Sequence, residues 1–360
     1  MSDNISFEVL DELVEREIDR GTFPGAVVLV KRGRKTIKHE AYGNKSELPS
    51  KERMSEDTIF DLASLTKAVV TTTLALRLVE RGAWKLSDPI GKYYNEFKNP
   101  NITLKHLLTH TSGLIPWIDL FSDSKNREEA IEKLLTDKWP ILTPVVPPMQ
   151  EVIYSDLNFI ILGLAIEKVC GKALEELARE EIFCPLEMKD TFFNPPEKMI
   201  NRIAPTEESP KGDGFIRGKV HDENCRALGG VSGHAGLFST AVDLGKFVGA
   251  LLNKGSYKGY KLLGRAIVEK LETNFTKNLD GSRSLGWKLA GEGSPSSGDI
   301  LSSSSFGHTG FTGGSIWMDP IRGLGTIVLT NRVHPDRSRG AEDIQDFRAK
   351  VNNVILGELQ

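Results

Sequence analysis

The sequence has few cysteines and no long apolar run. Three cysteines occur among 360 residues, at Cys170, Cys184 and Cys225, and their spacing is not that of metal ligands. This excludes a disulfide-rich scaffold and is typical of buried thiols in a reducing compartment. No stretch approaches the ~20 apolar residues that a helix needs to cross a bilayer. We therefore predict no membrane-spanning segment.

An excess of charge of either sign is also missing. The chain has 46 Lys and Arg against 49 Asp and Glu, a net charge of -3, and no long basic block. Nucleic acids and anionic membranes are therefore not expected partners, whereas a small-molecule substrate is. The N-terminal stretch Met1 to Glu8 lacks the basic and apolar regions of a secretory signal. This indicates a cytoplasmic protein unless a leader was removed; the oligomeric state is not predicted.

Strand patterns lie at both ends of the chain and helical patterns in the middle. Hydrophobic residues make up 39% and charged residues 26%, which is ordinary for a globular protein of roughly two domains. We predict an α/β (α+β) fold in which an antiparallel sheet is flanked by helices and an all-helical domain is inserted. Residues 1–62 and 225–360 would form the α/β domain and residues 63–224 the helical domain, with the active site at their junction.

The most informative stretch is Ser64-Leu65-Thr66-Lys67, which opens a run of apolar and small residues ending at Gly82. The run predicts a single buried helix with Ser64 in its first turn. Lys67 lies three residues further on, on the same face. Burial predicts a lowered lysine pKa, so Lys67 can act as a base beside a serine nucleophile. A second match, Ser122 to Lys125, lies in a polar stretch that indicates a solvated loop.

Two further segments can supply partners for Ser64. Tyr154 precedes a predicted buried helix, and a phenol beside an ammonium group can act as a base or proton relay; alternatively it packs beside a helix cap, Ser155 or Asp156. The segment from His308 to Ser315 joins two predicted strands and contains three glycines. Glycine lets the backbone approach a ligand closely, so the Phe311 N–H can join that of Ser64 in an oxyanion hole. The alternative is a structural glycine-rich hairpin.

In this order, Ser64-Leu65-Thr66-Lys67, Tyr154-Ser155-Asp156 and His308-Thr309-Gly310 resemble the motifs of class C β-lactamases and penicillin-binding proteins. The resemblance covers roughly residues 6 to 357. It implies a β-lactamase/transpeptidase-like fold and a serine hydrolase that works without a cofactor or metal.

The resemblance also implies individual roles. Ser64 is the acylated nucleophile, Lys67 and Tyr154 share the duty of base, and His308 lines the strand that binds the substrate. The backbone N–H groups of Ser64 and Phe311 form the oxyanion hole. Substrate contacts are expected from the third and second motifs: Gly310, Asp156 and Asn158.

Two positions depart from the family pattern. The second motif ends in Asp156 where Asn is usual, and the third begins with His308 where true β-lactamases usually have Lys. Both changes remove attraction for an anionic β-lactam, which favours substrates without that carboxylate. Versions with His-x-Gly resemble esterases, D-aminopeptidase-like enzymes and amidases.

A polar cluster follows the predicted helical insertion. His221, Asp222 and His234 are expected to border the cleft, and the stretch resembles a subgroup that includes cytoplasmic amidases of peptidoglycan-fragment recycling. We expect these residues to contact substrate or, alternatively, to hold the domain junction by hydrogen bonds. Their spacing matches no common zinc pattern.

The sequence thus predicts an acyl-enzyme serine hydrolase acting on an amide or ester, such as a peptidoglycan-derived muropeptide. The first alternative is a general carboxylesterase. A class C-type β-lactamase and a penicillin-binding protein or sensor are further alternatives.

Overall fold

The structure is a computed structural model that describes residues 6–97, 99–122, 124–135, 142–210, 212–291 and 294–359. Some residues named above lie outside these ranges: residues 1–5 of the N-terminal stretch, Asp123 of the second Ser-x-x-Lys match, and residue 360. The other gaps fall within the predicted domains. In these ranges the α-helices are α1 (Glu8–Asp19), α2 (Thr73–Glu80), α3 (Leu104–Leu108), α4 (Arg127–Leu135), α5 (Asp156–Cys170), α6 (Leu174–Ala178), α7 (Glu223–Ala227), α8 (Ala241–Leu252), α9 (Arg265–Lys270) and α10 (Asp343–Glu358). The strands are β1 (Gly25–Arg32), β2 (Lys35–Ser46), β3 (Glu52–Arg53), β4 (Phe60–Asp61), β5 (Phe192–Phe193), β6 (Leu237–Ser239), β7 (Ser256–Tyr257), β8 (Tyr260–Lys261), β9 (Lys288–Leu289), β10 (Phe306–Thr309), β11 (Ser315–Asp319) and β12 (Leu324–Thr330).

The main sheet joins the two ends of the chain. It has seven antiparallel strands in the order β3-β2-β1-β12-β11-β10-β9, and β1 pairs with β12 from Ala26↔Thr330 to Arg32↔Leu324. Both faces of β1 are buried, with Val27 and Leu29 in one hydrophobic cluster and alternate residues in another. A central strand covered on both faces needs the continuous apolar run found here rather than an alternating one. The predicted combination of an antiparallel sheet with flanking helices is confirmed.

Helices cover both faces of this sheet. Helices α1 and α10 pack against each other and share a cluster with one face of β1, while α8 contacts β1 and β12. The predicted insertion between β4 and α7 holds α2 to α6 and, among the described residues, the single short strand β5. This strand pairs with β6, which also pairs with β4, in a small sheet. The division at residues 62/63 and 224/225 stays a prediction.

The segment after Ser64 differs from the single α-helix that the sequence predicts. Residues Lys67–Thr72 form a wider π-helical turn before α2 begins. A threonine hydroxyl competes for a backbone carbonyl of this segment, since Thr73 donates to the Ala68 carbonyl at 3.4 Å. Short π-helical turns of this kind are frequent at functional sites. Within the described ranges, no helix combines the length and apolar character needed to cross a bilayer.

Candidate active site

Ser64 follows a turn that a buried carboxylate holds. Asp61, at the end of β4, accepts the Ala63 N–H at 2.9 Å and the His221 N–H at 2.6 Å. Ala63 has φ of 46°, a left-handed conformation that costs a non-glycine residue energy. Burial raises the pKa of Asp61 above its usual value. Asp61 therefore orders the strained turn that presents Ser64.

Lys67 reaches Ser64 directly. Its Nζ lies 2.8 Å from Ser64 Oγ, 3.1 Å from the His234 carbonyl and 2.7 Å from the Asp156 carboxylate. Burial alone would lower the pKa of Lys67, but the negative charge of Asp156 and the hydroxyl of Tyr154 outweigh it and raise the pKa. The predicted lowering of the Lys67 pKa is therefore wrong, because the sequence does not show the buried ion pair.

Tyr154 lies beside this lysine. The Lys67 Nζ is 5.1 Å from the centroid of the Tyr154 ring. The opposite neighbour is the His110 ring, whose centroid is 4.4 Å away. Ser155 N donates to His110 Nδ1 at 3.1 Å, and burial holds the pKa of His110 well below its usual value. A neutral, buried histidine thus positions the tyrosine.

Asn158 does not face the cleft. It is fully buried on α5, where its side-chain oxygen accepts from Ser112 at 2.6 Å and its nitrogen lies 3.2 Å from His110 Nδ1. Both polar atoms therefore bond inside the helical region. The predicted substrate contact of Asn158 is not compatible with this position; it holds His110 instead. Asp156, two residues earlier, lines the cleft.

His308 is buried behind the cleft wall. Its ring centroid lies 6.2 Å from that of Tyr154, and its Nδ1 is 2.9 Å from the Thr309 carbonyl, which makes Nδ1 the protonated nitrogen. Burial, together with the positive charges of Lys67 and Lys288, holds the pKa of His308 well below its usual value. The imidazole is therefore neutral at pH 7.

The loop after β10 is docked against the nucleophile segment. A side chain at Gly310 would meet the Leu62 carbonyl at 2.5 Å, and Thr312 Oγ1 donates to the Asp61 carbonyl at 2.7 Å. Within the part of the chain that the structure describes, neither the Ser64 N–H nor the Phe311 N–H donates to a protein acceptor. Both donors are free to bind a substrate oxygen, and the docking fixes their relative position.

A buried arginine supports this loop from below. Arg348, on α10, is 3% exposed and donates to the carbonyls of Gly310, Gly313 and Gly314 at 2.8, 3.2 and 3.0 Å. A side chain at Gly313 would meet Thr330 Oγ1 at 1.9 Å, so the loop also needs glycine to fit. The position of this loop thus depends on one residue far along the chain.

The predicted polar cluster of His221, Asp222 and His234 lies partly in the cleft wall and partly in the interior. Asp222 lines the cleft, and its Oδ1 lies 2.9 Å from Nε2 of His234, which is itself buried. Burial alone would raise the pKa of Asp222, but the adjacent His234 and then Lys67 outweigh it and hold the pKa well below its usual value. His221 stacks on Phe311, with 5.5 Å between ring centroids. His234 therefore reaches a ligand only through Asp222.

One group of residues has the composition of a metal site. Among the described residues, ligand atoms of Asp156, Asp222 and His234 lie within 4.8 Å of one another. The Lys67 ammonium is already 2.7 Å from Asp156 and thus supplies the positive charge at this place.

Ser64 lies between two pockets. The first, of about 410 Å³, is lined by carboxylates and by three exposed aromatic side chains, and we call it the aromatic pocket. Its aromatic residues are Trp117, Phe121 and Phe311. The second, of about 550 Å³, we call the basic pocket, because its wall carries five positive side chains. They are Arg283, Lys288, Arg332, Arg337 and Arg348. Ser64 and Tyr154 line both pockets.

The loss of attraction for an anionic β-lactam stays a prediction, but the charge of the cleft does not depend on the two changed positions alone. His308 is neutral, but the positive charge that a lysine would supply there comes from other segments of the chain. The negative charge of Asp156 is paired with the positive charge of Lys67.

Sequence reasoning missed several residues that shape this cleft. Asp61 and His110 lie within stretches that resemble the family, so a buried polar residue next to a motif was the available signal. Arg283, Lys288 and Arg348 had no signal, because they are isolated charges in segments far apart in sequence. The second Ser-x-x-Lys match is not part of the cleft. Its residues Ser122 and Lys125 are exposed and line neither pocket.

The fold and the cleft define a hydrolase with a serine and a lysine on one helical turn. A profile of the family described as Beta-lactamase matches residues 10–350, and the chain belongs to this family. The predicted resemblance to class C β-lactamases and penicillin-binding proteins is confirmed.

Similar proteins agree with this assignment. The chain is 33% identical over 365 residues to N-acetylmuramyl-L-alanine amidase of Bacillus subtilis (strain 168), covering 90% of this chain and 80% of that protein. Among solved structures, a class C β-lactamase matches with a TM-score of 0.77 and 20% identity over 98% of this chain and 96% of the other. EstCE1, a hydrolase with promiscuous acyltransferase activity, matches with a TM-score of 0.75 and 21% identity, covering 95% and 98%. Both structures share the fold.

Proposed function

We propose that this hydrolase cleaves an amide bond in a peptidoglycan-derived muropeptide through an acyl-enzyme at Ser64. The observation that carries the nucleophile assignment is the 2.8 Å contact between Ser64 Oγ and Lys67 Nζ in a cleft. The substrate class is supported by the amidase from Bacillus subtilis that this chain resembles. The residues assigned below are part of the proposal.

The reaction begins when Ser64 Oγ attacks the carbonyl carbon of the scissile amide. The carbonyl oxygen becomes negatively charged and accepts the N–H groups of Ser64 and Phe311. Tyr154 relays the hydroxyl proton: its oxygen accepts the proton of Ser64 and its own hydroxyl proton passes to the departing amine as the C–N bond breaks. Water next attacks the ester at Ser64, and its proton returns the serine hydroxyl as the acid is released.

The raised pKa of Lys67 favours Tyr154 over Lys67 as the group that accepts the serine proton. An ammonium cannot accept the serine proton, but it donates to Oγ and stabilises the negative charge that develops there. Tyr154, in contact with Lys67, is then the group that takes the proton.

Replacing the nucleophile tests the proposal. We expect Ser64→Ala to abolish hydrolysis of muropeptides and of aryl esters, because no acyl-enzyme can form. The chain offers a matched control in its second Ser-x-x-Lys match, and Ser122→Ala should retain full activity. A fluorophosphonate probe, followed by peptide mass spectrometry, should label Ser64 only. Turnover retained by Ser64→Ala would refute the assignment.

A general carboxylesterase is the second candidate. The aromatic pocket favours it, since Phe311 and Trp117 are 51% and 46% exposed and can hold an apolar acyl or alcohol group. Comparing short-chain aryl esters with muropeptides separates the two functions. Esters turned over with muropeptides left intact would establish the esterase and exclude the amidase. Turnover of a β-lactam, or a stable acyl-enzyme without turnover, would instead indicate a β-lactamase or a penicillin-binding protein or sensor.

A cytoplasmic location and a small-molecule partner complete the proposal. Cys170, Cys184 and Cys225 are free thiols, which fits a reducing compartment. A net charge of -3 does not favour binding to nucleic acids or anionic membranes. Cell fractionation with an antibody against the chain tests the location, and recovery outside the cytoplasm would contradict it.

A further inference from the structure

Two of the exposed aromatic side chains of the aromatic pocket lie on one short loop. Trp117 and Phe121 are 46% and 38% exposed, and their ring centroids lie 6.4 Å apart. Residues 115–121, which we call the aromatic loop, are all described and contain no helix or strand. Apolar side chains that are exposed side by side, rather than singly, mark a binding surface.

A single buried amide holds this loop between its two aromatic residues. Asn224, on α7, is 1% exposed; its Oδ1 accepts the Leu120 N–H at 2.8 Å, and its Nδ2 donates to the Ile118 carbonyl at 2.7 Å. The amide thus replaces the backbone partners that a neighbouring strand would provide. Trp117 precedes the first of these bonded residues and Phe121 follows the second, so the placement of both rings depends on Asn224.

The start of the aromatic loop is fixed to the second motif. The Pro116 carbonyl accepts the Asp156 N–H at 2.9 Å, and the Ile115 carbonyl accepts the Ser155 hydroxyl at 2.6 Å. Both donors directly follow Tyr154, which lines the cleft. A loop anchored at its start and in its middle presents its rings in a preformed position, which reduces the entropy lost on binding.

The charges of the aromatic pocket indicate which ligand chemistry it favours. Each of the three carboxylates that line the pocket already contacts a basic side chain. The pairs are Asp156 with Lys67, Asp222 with His234 and Glu223 with Arg337, at 2.7, 2.9 and 2.6 Å. Little uncompensated charge remains beside the rings. The pocket therefore favours a neutral group with an aromatic or apolar face.

We propose that Asn224 is a positioning residue for substrate specificity. By holding the aromatic loop, it fixes Trp117 and Phe121 in the pocket wall, and these rings bind a neutral aromatic or apolar group of the substrate. This rests on the proposed function, because that group would belong to the substrate of Ser64. Asn224 is not among the described residues that line the pocket, so it acts through the two rings.

A neutral aromatic amide, naphthylacetamide, is the probe that tests this role. Its Kd is measured by calorimetry on Ser64→Ala, so that no turnover is needed, and kcat for nitrophenyl acetate is measured on the active enzyme. We expect Asn224→Ala to raise Kd about tenfold, because two hydrogen bonds that hold the rings are lost, and to lower kcat by less than about threefold. An unchanged Kd in the folded variant, or equal losses in kcat and in binding, would overturn the proposal.

Removing the rings shows whether Asn224 acts through them. Trp117→Ala should raise Kd by a similar factor. Combining Trp117→Ala with Phe121→Ala should abolish the effect of Asn224→Ala, because mutations that remove one shared interaction are not additive. Both aromatic residues are exposed, so these variants should remain folded. An Asn224→Ala effect of full size in the absence of both rings would exclude this mode of action.

The chain offers a matched control for the loss of an amide. Asn126, an exposed residue outside the aromatic loop, also accepts a backbone N–H through Oδ1, that of Glu129 at 2.9 Å. Asn126→Ala should therefore leave Kd unchanged. Circular dichroism shows whether each variant is folded. A rise in Kd for Asn126→Ala equal to that for Asn224→Ala would mean that the effect is not specific to the aromatic loop.

The binding assay and the hydrolysis assay can fail independently. If neither muropeptides nor aryl esters are cleaved while Asn224→Ala weakens binding of naphthylacetamide, the hydrolase assignment fails and the role of Asn224 in the pocket stands. If they are cleaved while Kd does not respond to Asn224→Ala, the hydrolase stands and the role of Asn224 fails.

Discussion

Asp156 is the residue that sets the charge of Lys67. Their side chains lie 2.7 Å apart, and this carboxylate is the main influence that opposes the effect of burial on the lysine. The family usually has Asn at this position, which would hydrogen-bond the lysine without holding its proton. In the proposed reaction, the aspartate therefore shifts the duty of base towards Tyr154.

Replacing Asp156 by Asn should change the pH dependence of the reaction. Loss of the negative charge lowers the pKa of Lys67, by about 1 to 3 units for a neighbouring opposite charge. Because the proposed reaction uses the Lys67 ammonium, the alkaline limb of the kcat/KM profile for a neutral aryl ester should move to lower pH. Glu223→Gln, which removes a carboxylate of the same pocket that does not contact Lys67, should leave the limb in place. An unchanged alkaline limb in Asp156→Asn would show that Asp156 does not control the charge of Lys67 during the reaction.

At the scale of elements, helix α10 and the loop from Gly310 to Gly314 form one unit. Arg348 joins them through three hydrogen bonds to loop carbonyls, while Thr312 and Gly310 join the loop to the segment before Ser64. A helix near the C-terminal end thus positions a donor of the proposed oxyanion hole. Arg348 is a positioning residue for the chemistry.

Removing this connection should lower kcat more than it raises KM. Arg348→Met removes three hydrogen bonds that hold the loop and lets the Phe311 N–H move, so we expect kcat for a neutral aryl ester to fall about tenfold or more. Arg348→Lys should recover part of the loss because it retains a charged donor. Lys350→Met, on the exposed side of the same helix, should have no effect. A fall in thermal midpoint without a change in kcat would mean that Arg348 serves stability only.

At the scale of the whole molecule, charge pairs connect the segment around Glu207 to Arg337 in the C-terminal part of the chain. Glu207 accepts from Arg337 Nε at 2.6 Å and lies 3.1 Å from His221 Nε2. Burial alone would raise the pKa of Glu207, but Arg337 and His221 outweigh it and lower the pKa to about 2. These contacts hold two residues of the cleft wall in place.

Stability should therefore fall in acid partly through Glu207. A carboxyl with a lower pKa in the folded than in the unfolded chain stabilises the fold above its unfolded pKa of 4.5, and this contribution is lost as the pH falls towards 2. Urea unfolding should show that Glu207→Gln costs about 1 to 3 kcal/mol at pH 7 and less at pH 3. The exposed neighbour Glu208 is the control, and Glu208→Gln should change little. An equal loss for Glu207→Gln at both pH values would contradict the linkage.

The fold was predictable because its main elements are local patterns. Continuous apolar runs in the sequence predict a strand at residues 25–31 and a helix at residues 158–169, and the structure has β1 and α5 within two residues of these bounds. The two-residue strands β3 and β5 were not predictable, since they form only where a neighbouring segment offers an edge. The candidate site divides in the same way: Ser64 and Lys67 share one turn, whereas the Asp156–Lys67 pair and the basic pocket depend on contacts between distant segments.

The pairing of β1 with β12 also affects when a ribosome-bound chain can become active. Ser64 emerges early during synthesis, but the N–H of Phe311 and the strand that completes the sheet emerge nearly three hundred residues after β1 begins. Such distant pairings form slowly and late. A nascent chain therefore carries its reactive serine without the surrounding cleft, and a translation product that stops before α10 lacks the arginine beneath the loop.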